Sequence, residues 1–325
     1  MVVQPKKSDK QQLYNLWKTI FAYADGGSIN YFFNEQYQAD DFYLIKDAKE
    51  DLIVAGLLRD QKKLYLNGHL FAVSILDNLF TLYKYRNQGI MNSLLKSVIK
   101  ELEYSELFTL IKTSKAKDFT QLGFETIYYK KRYFIKREDL FNVDGYSISK
   151  DFRIKELVLV YKDFTSRFNG YLIRDEESFA NYISMLKASG KEVFVTRNKN
   201  KEIFGYMVYN YVASELVVLE LIYLDSTALL TLLNQAMGMN AYIYVDVSEG
   251  ENLDRVFPKL TYEIIDYMMI RINDKKLFKR MFDVETTSMK SILKYNRKPL
   301  HIGYFWFMCL FDEFACDKIF TIDKH

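Results

Sequence analysis

Between residues 76 and 102 the apolar pattern changes period once, across a turn that holds a single glycine. Residues 76–82 read as an apolar strand. Met91, Leu94, Leu95, Val98, Ile99 and Leu102 then fall at spacings of three and four, one face of a helix. The joining segment, Tyr83-Lys84-Tyr85-Arg86-Asn87-Gln88-Gly89-Ile90, puts Gly89 where the helix opens. A residue without a Cβ lets backbone N–H groups approach an anion closely there, and the helix dipole adds to the attraction. The step therefore predicts a sheet crossed by a helix, with a diphosphate-sized cradle at the crossing. It is not a Walker loop, because no Gly-Lys-Ser/Thr ending follows, and the glycine triplet of a dinucleotide fingerprint is absent.

The elements around this step are mostly strands. Upstream, residues 7–24 carry Leu13, Leu16, Trp17, Ile20 and Phe21 on one helical face, Asp25-Gly26-Gly27 breaks the helix, and 29–36 predict a second short one. Strands are expected at 41–46, 52–58, 63–66, 69–73 and 76–82, with Asn67-Gly68 forming a hairpin turn. After the amphipathic helix come a strand at 107–112, a short helix at 116–121 closed by Gly123, and a strand at 126–135. A similar order recurs, with a helix at 178–188, strands at 192–197, 203–212 and 215–224, a helix at 227–237 and a strand at 242–247. A helical or loop segment at 249–258 and a strand at 267–272 complete it. The fold class is α+β with mixed central sheets, divided into residues 1–145, a diverged second copy at 146–272, and a small C-terminal piece at 273–325.

Composition closes several alternatives. With 45 basic and 42 acidic residues the net charge is +3, which gives no field for nucleic acid as the main partner. Two cysteines, Cys309 and Cys316, exclude a disulfide framework, and His69, His301 and His325 are too scattered for a histidine-based metal site. No apolar run reaches the ~20 residues of a membrane-spanning helix, so a soluble, cytoplasmic chain is the expectation.

Two segments carry a family resemblance. Arg86-x-x-Gly89-x-Met91 resembles the R/Q-x-x-G-x-G/A signature of the GNAT acyltransferase superfamily. Asp118-Phe119-Thr120-Gln121-Leu122-Gly123-Phe124-Glu125 is similar to that superfamily's F-Y-x-K-L-G-F-E segment. The early tryptophan helix, Tyr31-Phe32-Phe33, Phe204-Gly205-Tyr206 and Tyr267-Met268-Met269-Ile270-Arg271-Ile272 extend the likeness to the Eis-type (enhanced intracellular survival) group. That group has two fused GNAT-like domains and a sterol-carrier-protein-like C-terminal domain, here shortened. The resemblance implies tandem GNAT folds, acetyl-CoA as acyl donor, an amine acceptor and a homo-oligomer. It also implies a second unit that binds no cofactor, and Leu224-Asp225-Ser226-Thr227-Ala228 indeed has neither the Arg nor the Gly of the cradle.

Site residues follow from the same resemblance. Leu79, Phe80 and Thr81 would hold the pantetheine arm through their backbone. Arg86, Asn87, Gln88, Gly89, Ile90, Met91 and Asn92 would hold the pyrophosphate, and Ser114 and Lys115 would line the far wall. Trp17, Phe21, Tyr31, Phe32 and Phe33 would shape an aromatic acceptor cleft, with ordinary core packing as their alternative. Phe119 stands where the family has a tyrosine that protonates the departing thiolate. The family's base, the C-terminal carboxylate, would be that of His325, set out of register by an extension after Phe320, with Asp317 and Asp323 as substitutes. Two readings result: an acetyl-CoA-dependent N-acetyltransferase, or a non-catalytic acyl-CoA-binding protein of the same fold.

Overall fold

The structure, a computed structural model, describes residues 1–21, 27–113, 116–212, 215–238, 240–294 and 298–301. The first run of elements is β1 (Val2–Val3), α1 (Asp9–Ile20), α2 (Ser28–Tyr31, continued by a π-helical turn at Phe32–Gln36), β2 (Phe42–Asp47), β3 (Leu52–Leu66) and β4 (His69–Thr81). It continues through α3 (Ile90–Leu102), β5 (Phe108–Lys112) and α4 (Lys117–Thr120) to β6 (Phe124–Lys136). The second run is β7 (Ser147–Ser149), α5 (Ile154–Thr165), the short β8 (Tyr171–Leu172), α6 (Glu176–Ala188), β9 (Glu192–Arg197), β10 (Ile203–Val212) and β11 (Glu215–Tyr223). It ends with α7 (Ser226–Met237), β12 (Tyr242–Ser248) and β13 (Tyr262–Ile272). Helices α8 (Lys275–Phe282) and α9 (Met289–Lys294) follow.

All these strands join one sheet in the order β1-β2-β3-β4-β5-β13-β6-β12-β11-β10-β9-β7, with β8 paired to β3 off this path. The order is a palindrome of the two runs. Each half climbs through matching strands to a parallel pair, β4 with β5 and β11 with β12. At the centre the last strands are exchanged: β13 of the second run lies against β5, and β6 of the first lies against β12. The two units therefore share a hydrogen-bonded seam, β6 against β13, and neither sheet is complete without the other's strand.

Two expectations change. The four short strands expected between 52 and 82 are two long ones, because β3 and β4 pair from Ala55–Thr81 to Leu66–His69, with one bulge, around the Asn67-Gly68 turn. The polar stretch Arg59-Asp60-Gln61-Lys62-Lys63 is part of a half-exposed hairpin and not a loop. Helix α5 is absent from the pattern above, although Leu157, Val160, Tyr161 and Phe164 form its buried face. Of the C-terminal piece expected at 273–325, residues 295–297 and 302–325 lie outside the described residues.

The cores repeat the palindrome. On one face α3 buries Leu94, Leu95, Val98, Ile99 and Leu102 against Leu76, Ile111 and Phe124. Likewise α7 buries Leu229, Leu232, Leu233 and Ala236 against Val218, Ile243 and Val245. On the other face α1, α2, α5 and α6 share one core, which includes Trp17, Phe32, Phe42, Phe80, Tyr161 and Phe179. At ~25 cal/mol per Å² of apolar area removed from water, such aromatic burial dominates the stability of this layer. The hairpin end, β13, α8 and α9 form a further core around Phe71, Phe108, Phe278 and Met289.

Candidate acyl-donor site

Strand β4 parts from β5 halfway along. Their parallel register runs only from Val73–Phe108 to Leu76–Ile111, so residues 77–81 are paired on the β3 side alone. The parting coincides with a β-bulge: Gly56 faces Phe80 and Leu58 faces Asp77, which sets Asn78 and Leu79 together opposite Leu57. Asn78 takes the left-handed conformation, φ 51°. A bulge re-aims backbone groups, and the free edge it leaves can take up an extended ligand as an added strand.

Beyond the edge, the chain turns through Tyr83–Tyr85 and enters α3 at Gly89, whose φ of 73° is left-handed. Among the described residues no side chain caps this end of α3. A Cβ built on Gly89 meets no described atom within 4 Å, so the backbone at this turn is open to close approach among the described residues. Arg86 is exposed. Its Nε donates to the Thr81 carbonyl at 3.1 Å, and its guanidinium lies over the Tyr83 ring. Gln88 Nε2 donates to the Lys84 carbonyl. Asn87 is also left-handed, at φ 60°. Sequence reasoning placed these residues together, and the fold gathers them at one end of the β4 edge.

Leu79, Ile90, Met91, Ala116, Phe119 and Leu122 all pack on the α3 core. The donor position and the cradle thus border one apolar cluster. Phe119 is half-buried, edge-on to Phe124, and brings no proton. Nearby tyrosines do not replace it. The buried Tyr128 hydroxyl donates to the Gly170 carbonyl at 2.7 Å, and burial raises its pKa. Tyr129 donates to the Thr126 carbonyl. Ser114, Lys115 and His325 lie outside the described residues.

The aromatic acceptor wall expected at Trp17, Phe21 and Phe32 is corrected by burial. These side chains are 0%, 4% and 2% exposed. Trp17 stacks on Phe32 and meets Phe21 and Phe33 edge-on. Rings whose faces and edges are taken by one another are core, and only Tyr31 is partly exposed.

The second unit differs at the same step. A bulge recurs on β11, where Leu219 is the extra residue between the pairs Val208–Glu220 and Tyr209–Val218. But α7 is capped by its own Asp225, whose side chain accepts from Ala228 N and from the Tyr146 hydroxyl. The Tyr223 carbonyl is taken by Arg167. A capping carboxylate occupies the place where an anion would bind.

Sequence reasoning missed Asp77 and Asn78. Both are 1% exposed at the parting of the strands. Neither amide atom of Asn78 has a hydrogen-bond partner among the described residues. A polar Asp-Asn pair inside an otherwise apolar strand was the available signal. No cluster of His, Cys, Asp and Glu suited to a metal occurs among the described residues. Nor is any described helix long and apolar enough to cross a membrane.

Against this geometry, residues 2–127 match the sequence family described as acetyltransferase (GNAT) domain. The match spans β1 to the start of β6. Among solved structures, the chain is similar to a conserved Enterococcus faecalis protein described as a probable N-acyltransferase. That likeness has a TM-score of 0.69 and 16% identity over 84% of this chain and 72% of the other. It is similar to Eis1 of Mycobacterium abscessus, with a TM-score of 0.61 and 13% identity over 84% and 73%. It is also similar to a tandem GNAT protein from the clavulanic acid biosynthesis pathway, with a TM-score of 0.52 and 9% identity over 84% and 98%. Comparison with curated proteins returns no match. These likenesses show the fold, two GNAT-type units in tandem.

Proposed function

We propose that residues 1–145 form an acetyl-CoA-dependent N-acetyltransferase unit acting on an amine, with 146–272 as a degenerate second unit that supports it. One observation carries the reading: the open, bulged edge of β4 leads directly to the uncapped N-terminus of α3 at Gly89. Leu79, Phe80 and Thr81 hold the pantetheine arm by backbone hydrogen bonds. Asn87 to Asn92 hold the pyrophosphate through N–H groups, with Arg86 adding charge. Acetyl-CoA supplies an acetyl thioester. The Leu79 N–H and the Asn78 side-chain amide would polarise its carbonyl as an acceptor amine forms the new C–N bond, the C–S bond breaks, coenzyme A leaves as the thiol and the amine's proton passes to solvent. Positioning alone accelerates such a transfer.

The test is thermal unfolding with acetyl-CoA. Ligand at 100 times its dissociation constant stabilises the folded state by ~2.7 kcal/mol, and an unchanged melting temperature overturns the reading. Coenzyme A thiol release is then followed with polyamines, aminoglycosides and lysine peptides. Phe119 favours a second reading, a protein that binds acyl-CoA without turnover. Binding with no thiol release above the amine-free blank selects it.

A further inference from the structure

Arg174, on the link between α5 and α6, points its guanidinium into a chamber of the second unit. Tyr182 lies 4.5 Å from the guanidinium carbon, Tyr161 4.7 Å and Phe179 5.5 Å, measured to ring centroids. Glu220 of β11 closes another side, its two carboxylate oxygens 3.0 and 3.1 Å from Arg174 Nη1. The Tyr182 hydroxyl donates to Glu220 at 2.9 Å, and the Tyr206 hydroxyl accepts from Arg174 at 3.4 Å. Three rings and one carboxylate around a cation form an aromatic cage, in which cation–π contacts are strengthened by desolvation.

The fold does not require a charge there. Glu220 lies at the β11 bulge, two residues after Val218 ends the parallel pairing, and its counterpart on β4, two residues after Leu76, is the neutral Asn78. In the first unit the equivalent space between α1, α2 and β4 is closed by Trp17, Phe32 and Phe80, all hydrocarbon and indole. A buried ion pair is by itself weakly stabilising, so packing alone gives no reason for the second unit to carry a carboxylate where the first has the neutral amide of Asn78. The Arg174 side chain is 12% exposed, so the chamber is not sealed from solvent among the described residues. Its backbone is steered there by β8, whose Leu172 and Tyr171 pair with Leu64 and Tyr65 of the first unit, and by Ile173 N donating to the Lys63 carbonyl.

We infer that the second unit retains a receptor for a small organic cation of the alkylguanidinium class, between α5, α6 and β11, and that the chain's own Arg174 occupies it as an internal ligand. The inference rests on the cage and on the charged Glu220 standing where the first unit has the neutral Asn78. It is independent of acyl transfer in the first unit.

The experiment empties the cage and refills it. Arg174→Ala removes the guanidinium, and ethylguanidinium has the size of the missing group. The variant is expected to unfold several degrees below wild type. Low-millimolar ethylguanidinium is expected to raise its melting temperature saturably, by about 2 °C or more, without raising that of wild type. Ethylurea, the neutral isostere, is expected to do nothing. No saturable rise, or an equal rise in wild type, overturns the inference. If Arg174→Ala does not fold alone, it is refolded from denaturant with and without ethylguanidinium. Recovery only with the cation supports the cage, and no recovery in either overturns it. Arg174→Ala combined with Glu220→Gln is expected to lose the response, and a response retained there also overturns it.

Discussion

Arg132 and Asp246 face each other across β6 and β12 and are joined by two hydrogen bonds of 2.7 Å, Nε to Oδ1 and Nη2 to Oδ2. Their side chains are 9% and 3% exposed. Because β6 belongs to the first run and β12 to the second, the pair pins the exchanged strand. Breaking such a pair from one side strands the other charge, at about 3–5 kcal/mol. Arg132→Ala and Asp246→Ala are each expected to cost about 3 kcal/mol in urea unfolding. Replacing both by leucine is expected to cost less than either. Single-variant losses under about 1 kcal/mol would show that the seam does not depend on this pair.

A second polar pair sets the pH response. His301 Nδ1 lies 3.6 Å from Glu251 Oε1, both side chains are buried, and His301 packs between Phe164 and Phe168. Burial pushes Glu251 up to about 8, against the pull of the Ser248 N–H and Arg167, with Glu220 reinforcing the rise. Burial lowers His301 to about 3, helped by Arg174, Arg167 and Lys130. Both groups are therefore neutral in the folded state near pH 6. The unfolded chain ionises Glu251 above its ordinary value of 4.5, so stability falls as pH rises until about 8. The unfolded chain protonates His301 below 6.5, so stability falls as pH drops until about 3. The two slopes oppose between 4.5 and 6.5, which predicts a plateau there and losses on both sides. Melting temperatures across pH 4–9 check it. Glu251→Gln is expected to flatten the alkaline arm and leave the acid arm, and an unchanged alkaline arm would rule out Glu251 as its source.

Much of this organisation is legible in the sequence because it is local. The switch of period after Leu82, the glycine at Gly89 and the turn at Asn67-Gly68 each act within a few residues, and each is found where expected. The exchange of β6 and β13 is not legible, since it is decided by which edges are free after β5 and β12 form, a relation between residues over a hundred positions apart. Trp17 and Phe32 show the same limit from the other side. An aromatic residue in a helix pattern reads equally as core or cleft, and only the neighbouring rings decide. Glu251 and His301 were invisible for the same reason.

The cradle assignment makes a separable prediction at Gly89. Its φ of 73° costs a side chain about 1–2 kcal/mol, but the added atoms meet no neighbour within 4 Å. Gly89→Glu is therefore expected to fold with a melting temperature a few degrees lower. A carboxylate at the helix start repels phosphate, so coenzyme A affinity is expected to fall at least about tenfold, a loss of 1.4 kcal/mol. Calorimetry reads both, and wild-type affinity in the folded variant excludes the cradle.

Asn78 gives a prediction of opposite sign for stability and binding. Its amide is buried and has no hydrogen-bond partner among the described residues, which costs the unliganded protein about 1–3 kcal/mol. Glycine suits its φ of 51°. Asn78→Gly is expected to leave the unliganded melting temperature unchanged or higher and to weaken acetyl-CoA binding. A variant that is less stable yet binds normally would make Asn78 a structural residue only.

Phe119 decides between the two functional readings, and the substitution that tests it adds a single oxygen. The residue is half-buried on α4, against the same apolar cluster as Leu79 and Met91, with its ring edge toward Phe124. A tyrosine keeps the ring and its packing, so the melting temperature of Phe119→Tyr is expected to stay within about 1–2 °C of wild type, the range of a volume-conserving change. A positioned acid is worth about 10²–10⁴ in rate. If the missing proton is what limits transfer, kcat for thiol release rises at least about tenfold while KM for acetyl-CoA stays within about twofold, since the hydroxyl acts on the departing thiolate and not on binding. The rise is expected only above the pH at which the acceptor amine loses its own proton, because the new acid supplies no base. A kcat unchanged across that pH range, in a variant that still binds acetyl-CoA, would mean that either another group already protonates the thiolate or the first unit is a binding module. The wild-type thiol-release rate separates these two, being measurable in the first case and absent in the second.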